Sequence, residues 1–343
     1  MYFATIFDGT INEYYADNKM ARCLLVHASR NNTNPLKELL SLWNVKTQIM
    51  RNSIDSAIVY GIKNHASMAI GAYLGGAKRI ICVVNGRGNL FSVKGWKGRI
   101  VRRLAIPMLR IAYLLSFRVC FQNEDDADYF IKRGLVSEKK VILTNGSGVN
   151  TSVFEEMPLP EGDIFLYMAR ITPSKGVLEY IEAAKVVKEK YPNAEFHVVG
   201  PVDDLIEGSC MDQIKEADRL GYIQYHGRTD DVKYWLKNSK YFVYPSYYPE
   251  GVPRCILQAL SCGRPIITCN TAGCKKTVEN KKNGFLVEKE DVEGLVEKMC
   301  WLVEHKEESL QMGRCSRQLA VESFDVNNVN SILVNAVLGG GVV

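Results

Sequence analysis

The sequence contains no Cys-x-x-Cys pair, and none of its ten cysteines has the cysteine and histidine neighbours expected of a zinc site. This pattern argues against a structural zinc motif and predicts reduced, buried thiols, as in a cytoplasmic protein. A signal-peptide pattern is also missing, since Asp8 and Glu13 interrupt the only early apolar run. We therefore expect a cytoplasmic chain.

Neither sign of charge is in large excess, because 43 Lys and Arg against 38 Asp and Glu leave a net charge of only +5. This balance gives no support to a nucleic-acid-binding protein. Both Gly-x-Gly sequences, Gly86 to Gly88 and Gly146 to Gly148, lack the third glycine of a dinucleotide fingerprint, which disfavours a dehydrogenase. The length of 343 residues fits two domains of about 150 residues each.

Short apolar runs alternate with helical patterns along most of the chain, which predicts βα units and parallel sheets. The predicted strands are Ala57–Tyr60, Arg79–Val84, Ile164–Met168, Phe196–Val199, Tyr241–Tyr244, Pro265–Thr268 and Phe285–Val287. The stretch from Thr144 to Pro160 is rich in Asn, Gly, Ser and Pro and is the expected linker. We predict two doubly wound domains that face a cleft, with ligands bound beyond the carboxyl ends of the strands.

The stretch from Pro245 to Pro265 has the strongest functional pattern. Glu250 and Gly251 are expected at a helix start, and Gly263 at its end. Glu250 and Gln258 would then lie roughly 12 Å apart on nearly the same side of the helix, a span that suits a nucleotide sugar. The alternative is an ordinary amphipathic helix with a Glu-Gly-Pro cap.

This stretch resembles the Glu-x7-Glu signature of family-4 retaining glycosyltransferases of the GT-B fold, with Gln258 in place of the second Glu. The resemblance covers nearly the whole chain. Other matching sequences are Thr33–Leu39, Ala57–Gly76, Val84–Phe91, Phe121–Asp128, Asn145–Phe154, Ala169-Arg170, Lys175-Gly176, Val199-Gly200, His226-Gly227 and Asn283–Phe285. Family members begin with a strand, a glycine loop and a helix, and this sequence matches from their second strand, at Tyr2 to Phe7.

The resemblance implies two Rossmann-like domains, an acceptor-binding domain over residues 1–150 and a nucleotide-sugar-binding domain over residues 151–325. A terminal helix in residues 326–343 would pack back on the first domain. It also implies a retaining transfer of a sugar, a hexosamine being expected, from a UDP-sugar to an undecaprenyl diphosphate-linked glycan. The pathway would be bacterial capsule or O-antigen synthesis. Two alternatives are a catalytically silent nucleotide-sugar-binding homologue and a GT-B sugar epimerase.

The same resemblance assigns roles to individual residues. Arg170 and Lys175 would hold the diphosphate, and Glu250 would orient the sugar with help from the amides of Gly251 and Val252. Gln258 would face the ribose. Further donor contacts are implied at Gly148, Asn150, Gly227 and Arg228, and acceptor contacts at Asn85 and Gly86. His65 and His27 are interpreted as packing or surface residues.

The charge that develops on the leaving diphosphate must be neutralised by a metal or by fixed cations. The Asp-Asp pairs that begin at residues 125, 203 and 230 lack the Asp-x-Asp pattern of a metal site. We therefore predict a metal-independent enzyme without a cofactor. The resemblance further implies that the departing phosphate takes the acceptor proton, so no separate base is required.

The segment from Lys94 to Phe121 mixes cations with apolar residues at helical spacing. Arg110 interrupts its apolar run, which is shorter than the roughly 20 residues that span a bilayer. Such a mixture suits a helix that lies on an anionic membrane, with Arg99, Arg102 and Arg103 as lipid contacts. The enzyme would then be peripheral at the inner face of the cell membrane. The alternative is a core helix with a solvated basic face.

Overall fold

The computed structural model describes residues 2–5, 22–25, 35–92, 95–202 and 210–338. His27, Lys94 and Asp203 lie outside these ranges. The chain divides into two units. The N-terminal unit comprises Met1–Phe121, Ala127–Leu143 and Leu333–Val343, and the C-terminal unit comprises Gln122–Asp126 and Thr144–Ile332.

The described residues of the N-terminal unit form two parallel sheets. Strands β1 (Tyr2–Thr5) and β2 (Arg22–Leu25) pair with each other. The larger sheet has the order β3-β4-β5-β6, formed by Ser56–Tyr60, Arg79–Val84, Arg118–Phe121 and Val141–Leu143. Its central strand β4 is a continuous apolar run because side chains on both faces are buried.

Helices connect and cover these strands. They are α1 (Pro35–Arg51), α2 (Ile62–Asn64), a π-helical turn (His65–Ala69), α3 (Ile70–Leu74), α4 (Gly88–Ser92), α5 (Gly95–Leu115) and α6 (Glu124–Lys132), followed by a 3₁₀ turn (Glu138–Lys140). His65 is fully buried between the hydroxyl of Tyr113 and the carbonyl of Val83, at 3.0 and 3.1 Å. Burial lowers the pKa of His65 to about 4, so the ring is neutral and packs in the core, as predicted.

The C-terminal unit is built on six parallel strands in the order β12-β11-β10-β7-β8-β9. These strands are β7 (Ile164–Met168), β8 (Glu195–Val199), β9 (Gln224–Tyr225), β10 (Tyr241–Tyr244), β11 (Ile266–Cys269) and β12 (Gly284–Val287). The ring of Phe165 stacks on that of Phe196, with centroids 5.1 Å apart, and lies tilted against that of Tyr241, with centroids 4.7 Å apart.

The helices of this unit follow their strands in sequence. They are a 3₁₀ turn (Pro173–Lys175), α7 (Val177–Lys190), α8 (Met211–Arg219), α9 (Val232–Lys237), α10 (Arg254–Ser261), α11 (Ala272–Lys275), α12 (Val292–Glu304), α13 (Lys306–Ser323) and α14 (Val326–Leu338). The last residues of α14, from Leu333 onward, belong to the N-terminal unit, and there Arg79 of β4 donates to the carbonyl of Val337 at 2.9 Å.

The strand order of the C-terminal unit reverses between β7 and β10. The chain runs from β7 outward to β8 and β9, and then returns to β10 and runs the other way to β11 and β12. The loops after β7 and β10 therefore leave the sheet side by side, which is where ligands bind in doubly wound sheets. The predicted α/β fold, with a parallel sheet of at least four strands in each of two units, is confirmed.

Candidate active site

The loop after β7 brings Lys175 to the edge of the sheet between β7 and β10. We call this place, where the strand order reverses, the switch point. Ala169 and Arg170 follow the strand, and the 3₁₀ turn Pro173–Lys175 leads to Gly176 and the start of α7. Gly176 has a φ of 79°, and a Cβ atom there would lie 2.2 Å from the carbonyl oxygen of Pro245. Only glycine satisfies both conditions, so the two loops can pack backbone to backbone.

The loop after β10 is fixed from both sides. The amides of Tyr247 and Tyr248 both donate to the carbonyl of Ser174 at 3.0 Å. On the other side a Cβ atom at Gly273 would lie 1.7 Å from the carbonyl oxygen of Gly251, so α11 also approaches at backbone distance. Glu250 stands between these two anchors.

The side chains of Lys175 and Glu250 form an ion pair, with Nζ 2.6 Å from Oε2. Their side chains are 9% and 19% exposed, so solvent screens the pair only weakly. The ammonium also lies over the ring of Tyr248, 4.8 Å from its centroid. Because an ammonium has three donors, Lys175 keeps further N–H groups for a second anion.

The other carboxylate oxygen of Glu250 has two protein donors of its own. The hydroxyl of Tyr244 donates to Oε1 at 2.8 Å, and that of Ser246 at 3.0 Å. Sequence reasoning missed both residues. Their only signal is position, since Tyr244 ends a buried strand and Ser246 lies four residues before the acid.

The predicted helix start is wrong. Helix α10 begins at Arg254, and Pro253 is its N-cap with an extended backbone (φ −67°, ψ 124°). Glu250 therefore lies in the preceding loop, and its distance from Gln258 cannot be calculated from helical rise. The predicted end is right, because Gly263 has a φ of 76° directly after Cys262, the C-terminal cap.

The amide of Val252, predicted to face the donor, donates instead to the Oε1 atom of Gln122 at 3.1 Å. Gln122 is buried and precedes α6 in the sequence, 130 residues from its partner. It was not among the predicted site residues. Its contact holds the backbone two residues beyond Glu250.

Arg170 is exposed and lies close enough to Tyr248 for its charge to affect the pKa of the phenol. Burial raises the pKa of the Tyr248 phenol, and the positive charge of Arg170 acts in the opposite direction. Gln258 is half-buried on α10. Its ribose contact and the diphosphate contact of Arg170 stay predictions.

The other predicted donor contacts take part in local loop structure. Gly148 has a φ of 72° and closely approaches Val326, and the Asn150 side chain accepts from the amides of Ser152 and Val153 at 3.1 and 3.0 Å. Gly227 accepts from the amide of Gly200 at 2.8 Å. Arg228 pairs with Asp230 on the surface at 3.3 Å. None of these contacts tests a role in donor binding.

The match with known proteins agrees with this geometry. Residues 150–319 match the family described as "Glycosyl transferases group 1". The chain is 26% identical over 326 residues to the N,N'-diacetylbacillosaminyl-diphospho-undecaprenol alpha-1,3-N-acetylgalactosaminyltransferase of Campylobacter jejuni, covering 89% of this chain and 82% of the relative. Anabaena HepE in complex with UDP superposes with a TM-score of 0.79 at 16% identity, covering 98% of this chain and 92% of HepE.

This chain is a GT-B glycosyltransferase. A second relative of this glycosyltransferase is the UDP-Gal:alpha-D-GlcNAc-diphosphoundecaprenol alpha-1,3-galactosyltransferase of Escherichia coli, 25% identical over 338 residues, with 93% and 83% of the two chains covered. The prediction of a glycosyltransferase is thus confirmed, and the relatives to which it is similar act on undecaprenyl diphosphate-linked sugars. The placement of this chain in family 4 stays a prediction.

In the N-terminal unit of the glycosyltransferase, the loop after β4 carries the predicted acceptor contacts. Asn85 is exposed, and Gly86 is buried with a φ of 105°. Such a dihedral angle favours glycine and turns the chain sharply beyond the carboxyl end of the strand. The position fits a ligand-binding loop, and the acceptor role stays a prediction.

Helix α5 has an unusual exposed surface. Leu109, Ala112 and Tyr113 are buried. Arg99 and Arg103 are exposed, whereas Arg102 is half-buried and donates to the carbonyl of Leu90 at 3.5 Å. Among the described side chains of the helix, seven large apolar ones are also exposed, namely Trp96, Ile100, Val101, Leu104, Met108, Ile111 and Leu114. One side of the helix packs in the core, as expected for a core helix with a solvated basic face. The other side presents both basic and apolar groups to solvent.

Two features of the described ranges bear on the expected absence of a metal and on the expected membrane association. They contain no group of three or more His, Cys, Asp or Glu side chains placed to hold a metal ion. No helix within 35–92, 95–202 or 210–338 has both the length and the apolar character needed to cross a membrane.

Proposed function

We propose that this glycosyltransferase transfers a sugar from a UDP-sugar to a glycan carried on undecaprenyl diphosphate. The observation that carries the proposal is the Lys175–Glu250 pair at the switch point of the C-terminal sheet. A cation for phosphate and an acid for sugar hydroxyls stand within one hydrogen bond of each other, as the two ends of a sugar diphosphate demand. Both relatives are named as transferases that act on undecaprenyl diphosphate-linked sugars, which supports the acceptor class, and HepE binds UDP.

The proposed chemistry needs two fixed cations and one fixed carboxylate. Arg170 and Lys175 stabilise the diphosphate as negative charge develops on it, while Glu250 orients the sugar ring. Departure of the diphosphate from one face and attack by the acceptor hydroxyl on that same face retain the anomeric configuration. The departing phosphate takes the acceptor proton. Gln258 accepts one hydrogen bond from the ribose in place of the family's carboxylate.

A transfer assay tests this function. The purified protein is incubated with synthetic undecaprenyl diphosphate-GlcNAc in detergent and with UDP-N-acetylgalactosamine, UDP-galactose or GDP-mannose. We expect UDP release and a lipid-linked disaccharide, detected by mass spectrometry, with one of the UDP-sugars and not with GDP-mannose. An N-acetylhexosamine is the expected sugar. Transfer from GDP-mannose alone would contradict the proposal.

We further propose that α5 binds the cytoplasmic membrane surface where such an acceptor resides. Exposed arginines would meet anionic lipid, and the neighbouring apolar side chains would enter the headgroup region. Each cation near an anionic surface contributes about 1 kcal/mol, and salt screens this attraction. The placement of these groups on one described helix supports the proposal.

Replacing Arg99, Arg102 and Arg103 together by Gln is expected to weaken binding to anionic vesicles about 100-fold, since three cations contribute roughly 3 kcal/mol. Co-sedimentation with anionic and neutral vesicles at low and high salt measures the effect. The matched control replaces Lys185, Arg219 and Lys282, ion-paired cations of the C-terminal unit, by Gln. Equal losses in both triple variants, or parent binding that ignores lipid charge, would contradict a specific role for α5.

A further inference from the structure

Among the residues that the structure describes, three donors hold the carboxylate of Glu250. Lys175 occupies a position on Oε2, and Tyr244 and Ser246 both occupy Oε1. The family resemblance assigns a role to Lys175 and Glu250 and none to the two hydroxyl groups. Their convergence on one oxygen atom is therefore a separate feature of this site.

Both hydroxyl groups are buried within hydrogen-bond distance of the Glu250 carboxylate. Tyr244 and Ser246 are 1% and 0% exposed, so water does not compete for them. Burial raises the pKa of Tyr244 well above its ordinary value, which keeps the phenol protonated and able to donate. The second acceptor within reach of Ser246 is the carbonyl of Ser174 at 3.4 Å, longer than its 3.0 Å contact with the carboxylate. A charged acceptor at the shorter distance forms the stronger bond.

An ionised carboxylate offers about four acceptor positions, two on each oxygen. Two protein donors fill Oε1, and one fills Oε2. The remaining position lies on Oε2, beside the ammonium of Lys175. A sugar hydroxyl that bonds to Glu250 must use this position.

We infer that Tyr244 and Ser246 are positioning residues that determine donor specificity, because they leave Glu250 with one acceptor position for one hydroxyl of the donor sugar. The inference rests on the proposed function, in which Glu250 faces that sugar. Without the two hydroxyls, Oε1 becomes available, the carboxylate can rotate, and discrimination among sugar hydroxyls falls. Binding of the UDP portion does not depend on either residue.

The test compares the affinity for UDP with that for UDP-N-acetylgalactosamine and UDP-galactose by calorimetry. In Tyr244→Phe and in Ser246→Ala, we expect the ratio of UDP-sugar affinity to UDP affinity to fall about 3- to 10-fold, the effect of one ordinary hydrogen bond, because each hydroxyl acts on the sugar only through Glu250. UDP affinity should stay within twofold of the parent. A merely structural role would weaken both ligands equally and would overturn the inference.

Tyr241→Phe is the matched control. Tyr241 is on the same strand, equally buried, and its hydroxyl bonds to Asp163 and to the carbonyl of Leu302, away from Glu250. This variant should lose similar stability and keep the parent's affinity ratio. Should Tyr244→Phe fail to fold, Ser246→Ala decides the question alone.

A second measurement uses donor analogues in which single sugar hydroxyls are replaced by fluorine. In the parent, the loss of affinity caused by fluorine should depend on Glu250, as tested by Glu250→Gln, at one position of the sugar alone. In the Tyr244→Phe variant, the loss should depend on Glu250 at a second sugar position as well. Dependence on Glu250 at two positions in the parent overturns the inference. If Glu250→Gln leaves the UDP-sugar to UDP ratio unchanged, the proposed function fails first. If that variant lowers the ratio and both hydroxyl variants keep it, only the inference fails.

Discussion

Replacement of Glu250 by alanine is expected to lower the kcat of sugar transfer about 100-fold, because the group that orients the sugar is removed. The same change leaves the buried ammonium of Lys175 without its closest anion, so we expect a loss of about 2 kcal/mol in the free energy of unfolding. UDP affinity should change little, since the phosphate-binding cations remain. Steady-state transfer kinetics, urea unfolding and calorimetry measure the three quantities.

Glu297→Ala is the matched control for this prediction. Glu297 is in the same unit, is largely exposed and pairs with Lys298 on the surface, so its removal should leave kcat unchanged and stability within about 0.5 kcal/mol. A Glu250→Ala protein that folds stably and transfers sugar at the parent rate would contradict the proposed role of the acid.

The sequence predicts most strands of the two larger sheets, because parallel strands that are covered on both faces read as short continuous apolar runs. Arg79–Val84 and Ile164–Met168 were predicted to the residue. The strands at Arg118–Phe121 and Val141–Leu143 were not identified. The first directly follows the long amphipathic helix, and the second has only three residues, so periodicity gives little signal for either.

The end of α10 could be predicted from local sequence, whereas its start could not. A glycine that adopts a positive φ marks a helix end clearly, and Gly263 did so correctly. A proline near a helix start is ambiguous, because its fixed φ suits both the extended N-cap and the first helical residue. At Pro253 the angle ψ decides between the two, and the sequence does not specify it.

Individual site residues could be predicted, and their arrangement could not. Lys175 and Glu250 were each identified by resemblance, yet their ion pair joins residues 75 positions apart. It forms because β7 and β10 are neighbours, which depends on the strand order of the finished sheet. The contact between Gln122 and Val252 is even harder to predict, since it links segments 130 residues apart and neither segment carries a motif that points to the other.

The pairing of Lys175 with Glu250 leads to a prediction about the lysine. Lys175→Met is expected to lower UDP affinity about 10- to 100-fold, because a charge-assisted bond to the diphosphate is lost. It should also lower the free energy of unfolding by about 2 kcal/mol, since Glu250 keeps only its two hydroxyl donors. Calorimetry against UDP and urea unfolding measure both effects.

The double variant Lys175→Met/Glu250→Gln separates the structural role of the pair from its function. Removing both charges leaves no buried ion without a partner, so we expect most of the lost stability to return. Catalysis should not return, because neither the diphosphate nor the sugar finds its charged partner. Recovery of stability without recovery of UDP affinity would assign Lys175 to both the fold and the donor. Parent-like UDP affinity in Lys175→Met would instead restrict the lysine to supporting Glu250 and would leave Arg170 to hold the diphosphate.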